Sequence, residues 1–238
     1  SEIQKTGEEA YKNLGVSQSE YLATANKMGA LFQGSGIEQQ ESLQLTEQAM
    51  QRAADMASVM GIETSAALEA VAGAAKGNFE MMDNLGVAMN ATSIEAYAVG
   101  KGLDFVWDEA SQADKVQVAM QMFFEKTEQY AGNFARESEK TISGSMGMLQ
   151  ASVKSLTAGL GNAGADMTNL AGNVVTSFLA MVSNITPVVQ NIVSSVPTVI
   201  QQIVEGLVAA APSLLATVSE LFTSVLTSLN ESLPQLLP

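Results

Sequence analysis

The sequence predicts an all-α fold: a globular helical domain followed by long or kinked helices in heptad and hendecad patterns, assembled as an oligomer. Three observations carry this reading. Ala, Ser, Leu, Met and Gln are plentiful while Pro numbers only five in 238 residues, a mixture that favours helix over sheet. Apolar side chains recur at spacings of three and four, the period of one helix face. Helix-capping residues and glycines punctuate the first half at helix-length intervals.

In the first half, Ser17 and Glu20 have the spacing of a capping box, in which each side chain satisfies a free helix-end N–H. Tyr21, Ala25, Met28 and Phe32 then line one face, and Gly34 and Gly36 stop the helix. A second helix is expected over 38–60, with Leu45, Ala49, Ala53, Met56 and Met60 on one side and Gly61 at its end. A third, over 64–76, is nearly all Ala and so suited to close packing; Gly77 ends it. The stretch 78–107 is less regular, with a short helix around 93–99. Ser111 caps a helix expected to reach Ala131, with Val116, Met120, Phe123, Tyr130 and Phe134 as its apolar face and Gly132-Asn133 as its break.

A heptad seam follows: Ile142, Met146, Leu149, Val153, Leu156, Leu160, Ala163, Met167, Leu170 and Val174 alternate spacings of four and three. Such a run predicts a coiled coil or a long helical hairpin. Gly144, Gly147, Gly159, Gly161 and Gly164 oppose it, each costing about 1 kcal/mol relative to Ala inside a helix. Two uses of the seam stay open: contact between subunits, or packing of an amphipathic helix on its own domain.

The last fifty residues hold a degenerate apolar repeat. Val188, Val189 and Ile192 recur as Val199, Ile200 and Ile203, then as Leu214, Leu215 and Val218, and as Val225, Leu226 and Leu229. The offsets of 11 and 15 are close to whole helical turns and keep these clusters on one face. Pro187, Pro197, Pro212 and Pro234 interrupt the run, so pieces of about 10 to 20 residues are expected, kinked in line or folded into hairpins. The chain thus divides into a mixed-charge domain, 1–136, a heptad-patterned helix, 137–186, and an apolar Pro-punctuated repeat, 187–238.

Charge sharpens the division. The net charge is −14, and all eleven Lys and Arg lie at or before Lys154. A duplex grip needs a basic footprint, so sequence-specific nucleic-acid binding is not expected. The absence of Cys and His removes the Ser-His-Asp and Cys-His arrangements and the usual zinc-hydrolase ligand sets. Asp104, Asp108 and Glu109 beside the lone Trp107 are the closest carboxylate group, read as a solvated turn before the Ser111 cap. Ser138 and Lys140 lack the S-x-x-K spacing, and neither a Walker loop nor a G-x-G-x-x-G after a strand occurs. The thirteen Met residues are read as core filler in Ala-rich helices, with a Met-rich groove as the alternative. No enzyme activity, cofactor or metal is expected. The uncharged stretch 167–204 is long enough to cross a membrane but is diluted by Asn and Gln and broken by proline; burial in a helical bundle is the leading reading and lipid contact the other. The polar opening SEIQKTGEEAYK reads as the interior of a longer chain.

The runs MDNLGVAM (82–89) and IEAYAVGKGL (94–103), the helix over 113–124, and TEQYAGNFAR (127–136) together resemble phage tail tape-measure proteins. The last is similar to that family's T…A-x-G-D/N-F-A-R signature, borne here by Ala131, Gly132, Asn133, Phe134, Ala135 and Arg136. Residues 141–161 resemble the family's helix that ends in Leu-Gly. The likeness covers roughly residues 60–162, and the apolar repeat is similar to hydrophobic tracts downstream in such proteins. It implies a virion component, a helical chain inside the tail tube near the tip. In the full chain its length would set tail length, and it would assist genome delivery through the host membrane. It also implies a homotrimer, tail tube and tail tip proteins as partners, and transfer from the virion to the host envelope. The alternative is a membrane-active pore-forming or translocation module unrelated to a tail.

Overall fold

A computed structural model describes residues 2–195 and, beyond them, positions 205–206, 208–209, 216, 219–220, 223–224 and 227. The described residues are mostly helical, joined by turns, with no strand among them. Residues 1–184 form one compact unit and residues 185–238 another; the account below concerns the first, and α10 alone runs on past it.

The helices are α1 (Glu2–Glu8), α2 (Ala10–Asn13), α3 (Gln18–Gly34), α4 (Gln39–Met60), α5 (Thr64–Ala75), α6 (Ala91–Gly100), α7 (Gln112–Lys126), α8 (Asn133–Lys140), α9 (Ile142–Gly159) and α10 (Met167–Ser195). Their starts follow local chemistry. Ser17 and Glu20 close the expected capping box on α3, and Ser111 does the same on α7 with Asp114. Asn90 and Ser93 form a third box, on α6. Gly61 takes the left-handed conformation that ends α4, at φ 67°, where an L side chain is strained.

The longest of the core helices, α4, lies at the centre and packs on α3, α5, α7 and α8. Its buried face combines Ala49, Met50, Ala53, Ala54, Met56 and Ala57 with Ser42, Thr46 and Asp55. Leu45 is half-buried and Met60 is exposed, so the expected stripe turns to solvent at the helix end. The small residues of α5 let it lie close against α4, and Tyr21, Ala25, Met28 and Phe32 of α3 are all buried as expected. Eight Met side chains (28, 50, 56, 82, 89, 120, 122 and 148) are buried, where an unbranched thioether fills gaps left by alanine.

The 78–107 stretch is irregular as expected, with a 3-10 helix, Phe79–Leu85, ahead of α6, which contains the short helix expected around 93–99. Three expectations need correction. The helix capped by Ser111 ends at Lys126, five residues early; Tyr130 and Phe134 lie beyond its end. The seam over 142–174 is not one helix: it breaks after Gly159 at a turn and resumes in α10. Nor does Pro187 cut the run into short pieces. It sits inside the 29-residue α10, where its ring leaves the Ser183 carbonyl without an N–H to accept from.

α9 and α10 fold back on each other. A Cβ built on Gly159 would collide with Leu170, Ala180 packs on the cluster of Tyr11, Met148 and Ala151, and Asn184 donates to the carbonyls of Glu139 (3.0 Å) and Thr141 (3.1 Å). The two helices therefore run antiparallel within the first unit, but the face that α9 turns inward is not the heptad seam. The expected boundary at 136/137 falls inside α8, and residues 137–184 pack with those before them.

Gly144 and Gly147 are expected to respond oppositely to alanine. A Cβ at Gly144 would strike the Glu137 carbonyl oxygen and lie 2.6 Å from Ser138 Cα, both backbone, whereas nothing lies within 4 Å of one at Gly147. Urea unfolding should show Gly144→Ala destabilised by about 1–3 kcal/mol and Gly147→Ala stabilised by about 0.5–1 kcal/mol. A second expectation concerns alkali. Burial pushes the Tyr21 hydroxyl up to about 12, aided by the charge of Glu47. Its ordinary value is near 10, so its contribution to stability is full below about pH 10 and fades as pH rises toward 12. Unfolding midpoints measured across that window should fall more steeply for the wild type than for Tyr21→Phe.

Candidate functional site

Two places gather the residues that the sequence singles out: the turn between α7 and α8, and the outer faces of α9 and α10.

The turn is built by α4. Arg52 donates from Nη1 to the Phe124 carbonyl (2.6 Å) and to Thr127 Oγ1 (2.8 Å), and its guanidinium lies 5.9 Å from the centre of the Phe124 ring. Thr127 Oγ1 in turn donates to the Phe123 carbonyl at 2.6 Å. These contacts occupy the last carbonyls of α7, and a cation there meets the negative end of the helix dipole. Asp55, one turn along, is buried; its carboxylate accepts from the Gly132 amide (2.8 Å) and the Phe134 amide (3.1 Å). It thereby serves as a tertiary N-cap for α8, whose own N-cap is Gly132 at φ 71°. Gln51 Nε2 donates to Asp55 at 3.4 Å and to the Asn13 carbonyl at 3.1 Å.

All six signature residues fall at this clasp. Gly132 supplies the left-handed turn, and Arg136 donates to the Ala131 carbonyl at 2.9 Å. Phe134 lies so close over Gly15 that a Cβ there would enter its ring. Asn133 donates to Ser58 Oγ at 3.1 Å, and Ser58 donates to Glu137. Ala135 offers its carbonyl to Ser138 Oγ, which also donates to the Lys12 carbonyl at 2.9 Å. The signature thus joins α2, α4 and α8, and Gly132-Asn133 starts a helix where the sequence suggested only a break. Arg52 and Asp55 were not foreseen. Asp55 lies about 100° or more from the apolar stripe of Ala49, Ala53 and Met56 at about 100° per residue, so periodicity does not single it out.

The seam residues are divided. On α9, Ile142, Met146, Val153 and Leu160 are exposed and Leu149 and Leu156 half-buried. The face that α9 buries is Ser145, Met148, Ala151, Ser152, Ser155 and Gly159, turned roughly 110° from the seam at about 100° per residue. Ser155 Oγ accepts from the Gln18 amide at 2.9 Å and Lys154 pairs with Glu20 at 3.3 Å, which ties α9 to the start of α3. On α10, Leu170 is buried and Met167 and Val174 are half-buried, on the side that carries Ser177 and Asn184. Ala163 is exposed in the turn. Of the apolar repeat, Val188 is exposed and Val189 half-buried on α10, and Ile192 lies in the same helix. Val199, Ile200, Ile203, Leu214, Leu215, Val218, Val225, Leu226 and Leu229 lie outside the described residues.

The carboxylate group is dispersed. Asp104, Asp108 and Glu109 are exposed, and Trp107 packs edge-on against Phe79 at 5.7 Å and Phe105 at 6.4 Å, with Lys115 Nζ 4.9 Å from its ring centre. Among the described residues, no three acidic side chains gather as metal ligands would. The segment Met167–Asn191 is, by length and composition alone, long and apolar enough to cross a membrane. No family model, curated protein or solved structure matches this chain.

Replacing Asp55 by Ala removes two charge-assisted bonds at a helix N-terminus and leaves both amides in a buried setting. The expected loss is about 2–4 kcal/mol in urea unfolding, with faster hydrogen exchange at Gly132 and Phe134 and unchanged exchange in α5.

Proposed function

We propose that the chain is a structural, non-enzymatic component of a phage or phage-like tail. In this reading it is a tape-measure segment near the tube tip that in its full chain sets tail length and assists genome delivery through the host membrane. The observation that carries the reading is the hairpin of α9 and α10. An enzyme scaffold covers its apolar helix faces; this hairpin turns two of them outward, on α9 and on an α10 that carries no charge. Side chains of that kind serve assembly, because contiguous exposed apolar surface marks interaction sites.

Two further features support it. The six consecutive signature residues that resemble the tape-measure family, 131–136, form the turn that Arg52 and Asp55 hold. The apolar tract from 187 onward is without a basic residue, and so suited to leave an acidic conduit and enter an apolar phase. Tail tube and tail tip proteins are the proposed partners, with other copies of the chain.

Mass spectrometry of purified particles from the source, with immunogold labelling, tests the reading. The chain should be present at a fixed low copy number and label the tail; its absence from particles would remove the proposal. Vesicles of phosphatidylcholine and phosphatidylglycerol loaded with dye test the delivery part separately. Leakage caused by the full chain in the absence of any tail association would favour the pore-forming alternative.

A further inference from the structure

We infer that α2 is a strap that holds α9 and α10 on the core. Whatever draws the chain before Ser17 away from its seat frees these two helices, while the bundle of α3 to α7 stays folded. The inference goes beyond the tail reading and does not depend on it.

Isolated helices shorter than about 12 residues are marginal in water. α2 has four residues, and no side chain caps its start. Tertiary contacts order it, and successive residues go to different partners. Ala10 and Leu14 are buried in the large apolar core. Tyr11 is buried in the small cluster with Met148 and Ala151 of α9, on which Ala180 of α10 packs. The Lys12 carbonyl accepts from Ser138 Oγ of α8 at 2.9 Å, and the Asn13 carbonyl from Gln51 Nε2 of α4 at 3.1 Å. Both are terminal carbonyls of the kind that find no acceptor role inside their own helix. Lys12 Nζ also pairs with Glu139 at 2.7 Å. Just before α2, the Glu8 carbonyl accepts from Asn173 Nδ2 of α10 at 3.4 Å.

α9 and α10 depend on the same contact. Among the described residues, Tyr11 is the one buried member that the small cluster takes from outside these two helices. α9 is otherwise tied to the start of α3 by polar groups: Ser155 accepts from the Gln18 amide, and Lys154 pairs with Glu20 in an exposed setting, where an ion pair contributes little. α8 has an independent hold through Asp55 and through the bond of Asn133 to Ser58. Apart from Ala10 and Leu14, the large core takes its buried side chains from residues 21–123. Withdrawal of α2 therefore removes the apolar seat of α9 and α10 and takes only two side chains from the core. It would also uncover Met148 and Ala151, adding them to the Met146 and Val153 that α9 already exposes. A partner that takes hold of α2 thus sets how much apolar surface α9 and α10 show.

Hydrogen exchange of the full chain tests the strap. In Tyr11→Ala, amides of α9 and of α10 as far as Asn184 should exchange about tenfold faster than in the wild type, while those of α4 and α7 stay within about twofold. A covalent staple supplies the opposite arm and does not rely on that variant. The chain contains no cysteine, so Tyr11→Cys/Ala151→Cys joined by a short bismaleimide links α2 to α9 alone. Compared with the same variant capped by a monofunctional maleimide, the stapled chain should exchange more slowly in α10, which the staple does not touch. Exchange in α9 and α10 unaltered by Tyr11→Ala would overturn the inference, as would equal acceleration in α4 and α7. So would a staple that leaves α10 unchanged. These readouts in free solution are separate from the presence of the chain in tail particles, so either proposal can fail alone.

Discussion

Arg52 and Asp55 project from one turn of α4 and hold two helix ends of opposite polarity. The guanidinium sits on the carbonyl end of α7 and the carboxylate on the amide end of α8. Each charge meets the helix terminus that its sign stabilises, and each bond to a charged group is worth about 1.5–3 kcal/mol. The chain path after Phe123 depends on this pair. A helix continuing from 111 to 131 would carry Phe134 past α2; stopped at Lys126 and restarted at Asn133, it brings Phe134 over Gly15 and Ser138 onto the Lys12 carbonyl. α9 and α10 then inherit their positions from α8.

That inheritance explains an unusual helix. α9 buries serine, alanine and glycine and shows its larger aliphatic side chains to solvent. Serine can serve as an inward residue here because its hydroxyl is satisfied inside its own helix: Ser145 donates to Thr141, Ser152 to Leu149, Ser155 to Ala151 and, on α10, Ser177 to Asn173. Such residues fill little volume and permit close approach. Gly144 against α8 and Gly159 against Leu170 extend the same logic to the two ends of the α9 helix. The glycines that argue against a long helix by propensity are, at these two positions, what its packing requires.

Much of the fold was legible because it is local. The boxes at Ser17 and Ser111, the Gly61 stop and the buried face of α3 all depend on residues within a few positions of one another. The end of α7 was not legible, because the group that ends it is Arg52, 72 residues earlier in sequence. The direction of the seam was not legible either. Heptad spacing identifies which side chains share a face but carries no information on whether that face turns toward the domain or away. In α9 a second face is the one buried, and its serines, alanine and glycine around the single Met148 give it little hydrophobic signature. The six-residue signature was legible as a pattern; its partner Asp55 was not, since nothing near it in sequence announces a carboxylate that caps a distant helix.

The serine-lined contact beneath α9 has a thermodynamic consequence. Its hydroxyls already bond within their helices, so separating α9 from α3 would release the Gln18 amide and the Lys154–Glu20 pair but leave the serines satisfied. Among the described residues, the apolar cluster under α9 joins it to α2 and has Tyr11, Met148 and Ala151 as its buried members, so little hydrocarbon would be newly wetted at α3. Denaturant sensitivity and heat-capacity change both scale with surface uncovered. Separation of α9 from α3 therefore uncovers less surface than unfolding of the core around α4, and its dependence on urea is correspondingly the smaller.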